Sequence, residues 1–392
     1  MPAGAATWPD TCAVEFGDGA LTRLTEAVSR SGAKRVLVVT GATLSRSRLL
    51  QQLRSLLGTD STVYAGVKQH APYDCMAAGA RVAKECGADM LISLGGGSAT
   101  DTAKGIRLAI AQAQAGEYEA FFERCSERAA VSAQFSFDKP MLPHIAVPTT
   151  LSGSEFSGAI GATDIRTGRK FAIVDRILLP QLVILDPRAT LETPAPLWVS
   201  GALKVLSDAF EEICSPRSLP FVDALALHAI RLIDTHLLDA VLTPANLHSR
   251  AMLQHATWMS QSVKGHTGLG IVCALRHQIG ALFGVPHGTA SCIAFAAGLG
   301  FNRPLVDERL ATIAPALGIS ASDVSSAADA VLRRGQELIR AAGMPTSLHQ
   351  VGVSEARLGE LADAVMHDRQ LRNNPRQVRS VQEIHQLLQT LI

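Results

Sequence analysis

The four residues Gly95-Gly96-Gly97-Ser98 carry the clearest chemical signal in this sequence. They follow the apolar run Met90 to Leu94 and precede a stretch in which Ala103, Ile106 and Ile110 recur at helical spacing. A buried strand that ends in a glycine-rich turn and opens a helix gathers bare backbone N–H groups and the positive helix end at one point, which suits a pyrophosphate. Ser98 is placed to cap that helix. The alternative is a tight turn with no ligand, but three consecutive glycines carry an entropy cost that a simple chain reversal rarely retains. A second such place follows the buried strand expected at His144 to Val147. In Pro148-Thr149-Thr150-Leu151-Ser152-Gly153-Ser154-Glu155, four of eight residues bear a hydroxyl. Turn and cap formation accounts for one or two of them, leaving the others for contact with a ligand.

The elements that must position these turns alternate between strand and helix. Strands are expected at Lys34–Gly41, Ser61–Val67, Met90–Leu94, His144–Val147, Lys170–Val174 and Gln181–Leu185, with helices at Ser45–Leu57, Tyr73–Cys86 and from Asp101 onward. The segment Ala113 to Lys139 is less regular. This rhythm predicts a parallel, helix-covered sheet that binds ligands at the carboxyl ends of its strands, where Gly41 and Gly95 both fall. After Leu197 strand signals vanish, and helical periodicity runs from Leu203 to the end. The expected architecture is therefore an α/β, Rossmann-like dinucleotide-binding domain over residues 1–187 and an all-α substrate domain over 188–392.

Composition narrows the partners. Lys+Arg at 36 against Asp+Glu at 35 leaves a formal charge of +1, which gives no reason to expect nucleic acid or an anionic membrane. At 392 residues and 47% hydrophobic content the chain has material for large cores. The start Met1-Pro2-Ala3-Gly4-Ala5 lacks the charged and apolar regions of a secretory leader, and no apolar run is long enough to span a bilayer, so a cytoplasmic protein is expected. The seven cysteines are scattered without a C-x-x-C pair and read as free thiols.

Gly95-Gly96-Gly97-Ser98 with Asp101 and Ala103-Lys104, Pro148-Thr149-Thr150 with Gly153-Ser154-Glu155, Leu179-Pro180 with Asp186-Pro187, and Pro286-His287-Gly288 together resemble the iron-containing (group III) alcohol dehydrogenase superfamily. Gln69-His70-Ala71-Pro72, Ile279 to His287 and Asn374-Pro375-Arg376 look most like its maleylacetate reductase branch. The resemblance implies a homodimer that transfers hydride between NAD(P)H and a small carbonyl substrate in the cleft between its domains. It also implies cofactor contacts: Gly95, Gly96, Gly97 and Ser98 at the pyrophosphate, Thr149, Thr150 and Ser154 on the adenine and phosphate side, and Lys170 at the nicotinamide ribose. Where many NAD-preferring members carry an Asp for the adenosine ribose, this chain has Gly41, which removes repulsion of a 2′-phosphate and admits NADP(H).

The sequence departs from the family at the metal. Family ligands are an Asp and a His four residues apart on one helix plus two later His residues; the corresponding positions here are Lys204, Asp208, Cys273 and His287. No metal is expected, because an ammonium repels a cation. Three readings follow. Lys204, anchored by Asp208, supplies a fixed positive charge for the carbonyl oxygen. Alternatively Asp208, Cys273, His277 and His287 form a rebuilt zinc site. Or Lys204–Asp208 is an ordinary helix-surface pair and Cys273 a small core residue. His277, at the family position near the nicotinamide, is the candidate proton donor or substrate holder. The leading function is a metal-independent carbonyl or oxo-acid reductase; the rivals are a redox-neutral lyase or isomerase and a non-catalytic nucleotide-binding protein.

Overall fold

The structure, a computed structural model, describes residues 12–58 and 60–392; the Met1–Ala5 segment considered above lies outside them. Two compact units meet in sequence at Thr193/Pro194, six residues beyond the break expected at 187. Pro187–Thr190 forms a 3-10 turn capped by Asp186, and the Thr193 hydroxyl donates to the Thr149 carbonyl at 2.6 Å, so these residues remain with the α/β unit.

The α/β unit runs β1 (Ala13–Phe16), α1 (Leu24–Ser31), β2 (Arg35–Gly41), α2 (Arg48–Leu57), β3 (Asp60–Val67), α3 (Tyr73–Glu85), β4 (Met90–Gly95), α4 (Gly97–Gln112), α5 (Tyr118–Ala129), β5 (His144–Pro148), β6 (Ala159–Thr163), β7 (Lys170–Val174) and β8 (Leu182–Leu185). Six strands form one parallel sheet in the order β1-β8-β5-β4-β2-β3. The runs Val36–Val39 and Met90–Leu94 are buried on both faces, which explains their largely apolar character; Ser93, the one polar residue among them, lies 2.8 Å from His144 Nε2. Leu37, Val39 and Leu91 pack under α3, α4 and α5, whereas Val36, Val38, Ile92 and Leu94 pack under α1 and α2.

This division of helices creates the ligand crevice. Strand β2 leads through α2 to β3 along one face, while its neighbour β4 leads through α4 and α5 to β5 along the other. The two chains part at Gly41 and Gly95, which is a topological switch point at the strands' carboxyl ends.

Two expectations are corrected. Lys170–Val174 is not a strand of the main sheet: β7 pairs antiparallel with β6 in a separate two-stranded sheet. The less regular stretch after residue 113 contains α5, whose start carries no side-chain cap.

Lys104, on α4, is fully buried, and its ammonium donates to the carbonyls of Ser154 and Ser157 at 2.7 Å and Ala159 at 2.9 Å. It thereby ties α4 to the hydroxyl-rich turn and to the start of β6.

The helical unit runs α6 (Ala195–Cys214), α7 (Pro220–Leu242), α8 (Leu247–Thr267), α9 (Ile271–Phe283), α10 (His287–Ala311), α11 (Val324–Ala341), α12 (Leu358–Met366) and α13 (Val381–Gln389). Helix α6 is buried over most of its length and touches α7, α8, α9 and α10. Gly288 explains part of the Pro286-His287-Gly288 motif, since a Cβ there would lie 2.3 Å from the Ser200 carbonyl oxygen of α6. No helix among the described residues is long and apolar enough to cross a membrane. All seven cysteines are free thiols.

Replacing Lys104 by Met strands three buried carbonyls, so Lys104→Met is expected to destabilise the α/β unit by about 3 kcal/mol, read as a lower urea midpoint. A loss below about 1 kcal/mol would mean that these carbonyls find other donors.

Candidate active site

In the α/β unit the candidate residues gather around the first turn of α4. Gly95 adopts φ +148°, which only glycine takes readily, and a Cβ there would meet that of Ala99 at 2.9 Å. At Gly96 a Cβ would stand 2.9 Å from the Thr150 hydroxyl, and at Gly97 3.2 Å from Ser152. The glycines thus let the hydroxyl-rich turn lie directly against the helix start. The N-cap is Gly96 and no side chain caps the helix; Ser98 sits inside the first turn, and its hydroxyl accepts from the His70 backbone N–H at 3.2 Å. The first N–H groups of α4, having no intrahelical acceptor, face the end of β4, a cradle suited to a pyrophosphate.

His70 and Ala71 hold φ values of +63° and +44°, unusual for residues with side chains. Ser98 pins this turn from one side; from the other the Thr163 hydroxyl donates to the His70 carbonyl at 3.0 Å. Thr163 pairs across the hairpin with Lys170, whose ammonium is drawn down by burial. Lys170 therefore lies in the neighbourhood of the glycine turn. Ser154 spends its hydroxyl proton on Asp101, which also accepts from the Gly161 N–H at 3.2 Å. Its hydroxyl supports the turn and keeps only lone pairs for a ligand. At Gly41 a Cβ would meet nothing nearer than the Val67 carbonyl at 3.7 Å, so the absence of a ribose-binding carboxylate there is not forced by packing.

The helical unit carries a second cluster, centred on Asp208. This carboxylate is fully buried. Its Oδ2 lies 2.9 Å from Lys204 Nζ, 3.2 Å from Lys264 Nζ and 3.1 Å from Gln261 Nε2; its Oδ1 accepts from Arg276 Nη1 at 2.6 Å. Burial alone would raise the Asp208 carboxyl, but the three cations hold it well below the usual carboxylate range. Lys204, with a side chain only 13% exposed, is no surface residue. Burial, with Lys264 and Arg276 adding to it and Asp208 opposing, brings its ammonium down to about 8.

Arg276 also donates to Cys273 Sγ at 2.8 Å, and His277 Nε2 stands 3.4 Å from the same sulfur. Against the upward push of burial, Arg276 and His277 lower the Cys273 thiol to about 7. His277 Nδ1 lies 3.1 Å from Asp368 Oδ2, and its ring meets His287 edge-on at 5.9 Å. Burial opposes its charge, yet Cys273 and Asp368 raise it to about 9.

Helix α9 can present these groups because its start is capped from elsewhere. Glu211 accepts from the N–H groups of Gly270, Val272 and Cys273 at 2.9–3.1 Å, and Asn374 Oδ1 accepts from Ile271 at 3.0 Å. The Asn374-Pro375-Arg376 motif is thus a brace for α9, completed by the reciprocal Asn374–Asn302 amide pair.

This donor set does not fit a divalent metal. Both Asp208 oxygens are held by nitrogen cations, the Lys204 ammonium lies 2.9 Å from one of them, and Arg276 occupies the Cys273 sulfur. An entering ion would meet three positive charges at close range. The rebuilt zinc set of Asp208, Cys273, His277 and His287 meets the same objection.

Lys264, Gln261, Arg276 and Asp368 were not identified from sequence. One signal was present: Arg250, Gln254, Thr257, Gln261 and Lys264 recur every three or four residues along α8, a polar stripe whose first four members are buried. A stripe of this period normally carries core residues, and polar ones there mark a site.

An ultraviolet titration of thiolate absorbance is expected to show one step near pH 7 that Cys273→Ser abolishes. Burial pushes Cys12 to about 11 and Cys125, Cys214 and Cys292 to about 12, which separates them from that step. A step that survives the substitution would contradict the Arg276–Cys273–His277 arrangement.

Comparison with known proteins matches this geometry to one family. Residues 12–187 match the model of iron-containing alcohol dehydrogenase, and residues 198–392 that of the Fe-containing alcohol dehydrogenase family, C-terminal. The NAD-dependent methanol dehydrogenase of Bacillus methanolicus is 29% identical over 96% of this chain and 97% of its own. The maleylacetate reductase of Pseudomonas sp. (strain P51) is 27% identical over 91% and 90%. A solved structure of 1,3-propanediol oxidoreductase superposes with a TM-score of 0.89 at 27% identity, covering 99% of this chain and all of the other. The chain belongs to the iron-containing alcohol dehydrogenase family, whose members are oxidoreductases acting on alcohols and carbonyls.

Proposed function

We propose that this protein is a metal-independent, NAD(P)H-dependent reductase of small carbonyl compounds, oxo acids among them, in which the Lys204 ammonium replaces the metal as electrophile. The observation that carries this reading is the buried Lys204–Asp208 pair at 2.9 Å, a fixed positive charge at positions that the family resemblance assigns to metal ligands. In keeping with the family resemblance, it acts as a cytoplasmic homodimer.

The nicotinamide, when bound, supplies the hydride. The N–H groups of Gly96, Gly97 and Ser98 hold its pyrophosphate, Thr149, Thr150 and Ser154 line the same side, and Lys170 reaches the ribose. Gly41 leaves the adenosine ribose without a carboxylate, so a 2′-phosphate is tolerated. Lys204 faces the substrate oxygen and stabilises the negative charge that develops there as the carbonyl is reduced. His277, held as imidazolium by Cys273 and Asp368, donates the proton that completes the alcohol. His287 packs against the His277 ring and limits its rotation.

Binding and turnover measurements test this. Gly96→Val drives bulk into Thr150 and the pyrophosphate cradle, so calorimetry is expected to show NAD(P)H binding weakened by about an order of magnitude or more. Gly41→Asp is expected to cost NADPH more than NADH; equal losses would argue against the ribose geometry. For the electrophile, Lys204→Ala is expected to lower kcat by roughly a hundredfold, as for loss of one oxyanion donor, with poor rescue by Lys204→Arg. Activity is expected to fall with an apparent pKa near 8 as Lys204 deprotonates, and at lower pH still in Asp208→Asn, because the carboxylate raises the lysine. One tightly held metal per chain, lost with activity on chelation, would overturn the reading. Product formed from a carbonyl panel without change in nicotinamide absorbance would favour the redox-neutral rival.

A further inference from the structure

Three cations share one carboxylate at the centre of the helical unit, and the third is more than Asp208 needs. Arg276 holds Oδ1 and Lys204 holds Oδ2, so both oxygens are engaged before Lys264 adds its ammonium at 3.2 Å. The neighbouring acids do not balance it. Glu212 is buried, its carboxyl is raised well above the usual range by burial and by Asp208, and its Oε1 accepts from the Ser260 hydroxyl at 3.0 Å. Glu211 faces the backbone N–H groups that open α9, and burial pushes it up to about 8. Asp368 is paired with His277 and also accepts from Gln278 Nε2 at 2.8 Å. Asp208 cancels one of the three charges and the Cys273 sulfur, held by Arg276 and drawn toward thiolate, answers a second, so one charge is left over in a largely buried place, where it is costly unless an anion joins it.

Exposure says which cation meets that anion. The Lys264 side chain is 31% exposed, against 13% for Lys204 and 4% for Arg276, so Lys264 is the member of the trio most open to an arriving molecule. Geometry limits the anion's size. Both ammonium nitrogens lie within 3.2 Å of the same Asp208 oxygen, so they stand no further apart than about twice that distance. A carbonyl oxygen and a carboxylate one or two carbons away span the same interval.

We infer that Lys264 is a specificity-determining residue that binds the carboxylate of a short 2-oxo or 3-oxo acid whose carbonyl oxygen rests on Lys204. This rests on the reading of Lys204 as the electrophile, and it narrows the substrate class from small carbonyls in general to those carrying an adjacent negative charge. The competing account makes Lys264 a brace for Asp208, which would affect acidic and neutral substrates alike.

The test compares each acid with its own methyl ester, pyruvate against methyl pyruvate and acetoacetate against methyl acetoacetate, with NAD(P)H as reductant. Wild type is expected to favour at least one acid over its ester by about thirtyfold in kcat/KM. Lys264→Met is expected to lower kcat/KM for that acid at least about tenfold more than for the ester, mainly through KM, as for loss of one charge-paired contact. Lys264→Arg keeps the charge and is expected to retain most of the preference. Equal turnover of acid and ester by wild type, or equal losses on both in Lys264→Met, would overturn the inference. A binding measurement separates it from the reading of Lys204. Malonate, which has no ketone or aldehyde to reduce, is expected to bind wild type and Lys264→Arg but at least about tenfold more weakly to Lys264→Met by calorimetry. Unchanged malonate affinity would count against Lys264 even if carbonyls are reduced, whereas malonate binding without any carbonyl reduction would sink the reductase reading and leave the anion site standing.

Discussion

The helical unit depends on one electrostatic constraint, the need to satisfy a carboxylate that has no access to water. Asp208 lies on the most buried helix of the unit, and an isolated ion there would cost several kcal/mol or more. The cost is met by side chains converging from α6, α8 and α9, with Ser291 of α10 accepting from Arg276 at 3.2 Å. The positive charge that meets it comes from the chain itself, from Lys204, Lys264 and Arg276.

The same network fixes the electronic state of the residues around it. Arg276 bridges Asp208 and Cys273, so the charge on one is felt by the other through a single planar group. Cys273 in turn favours the charged form of His277, which Asp368 anchors from the far side. Glu211 and Asn374 take up the amide groups at the start of α9, so the helix that carries Cys273, Arg276 and His277 is held at its first turn and not only by its apolar face.

Much of the α/β unit is legible in the sequence because strands buried on both faces must be largely apolar, with polar members such as Ser93 and His144 paired to each other, and the turns that end them must carry unusual residues. Gly95, Gly96 and Gly97 illustrate both the strength and the ambiguity of that signal. Each has a packing reason, against Ala99, Thr150 and Ser152, so glycine is required there whether or not a phosphate arrives. Ser98 was misread as a cap because a hydroxyl near a helix start has that default role, whereas here it serves a distant backbone N–H at His70. The β6–β7 sheet escaped because a strand's partner is not written in its own periodicity. The helical site was legible only in part. The Lys204–Asp208 pair is local, one turn apart, and spacing reveals it. Lys264, Arg276 and Asp368 reach the cluster from separate elements, and only tertiary convergence joins them.

A lysine at the centre of the helical unit makes the charge there depend on pH. A bound metal keeps its charge over the whole working range, but an ammonium is lost when it titrates, and burial together with Lys264 and Arg276 pulls Lys204 downward. Asp208 is the opposing force that keeps it protonated at neutral pH. The cations around the site therefore act on one another: each added one improves attraction for an anion while weakening the proton affinity of Lys204. With one carboxylate, two lysines and an arginine, that balance stands at about 8 for Lys204, a little above neutrality. A fourth cation would push Lys204 toward its neutral form, and removal of Asp208 would do the same. The buried carboxylate is thus what sustains the Lys204 ammonium.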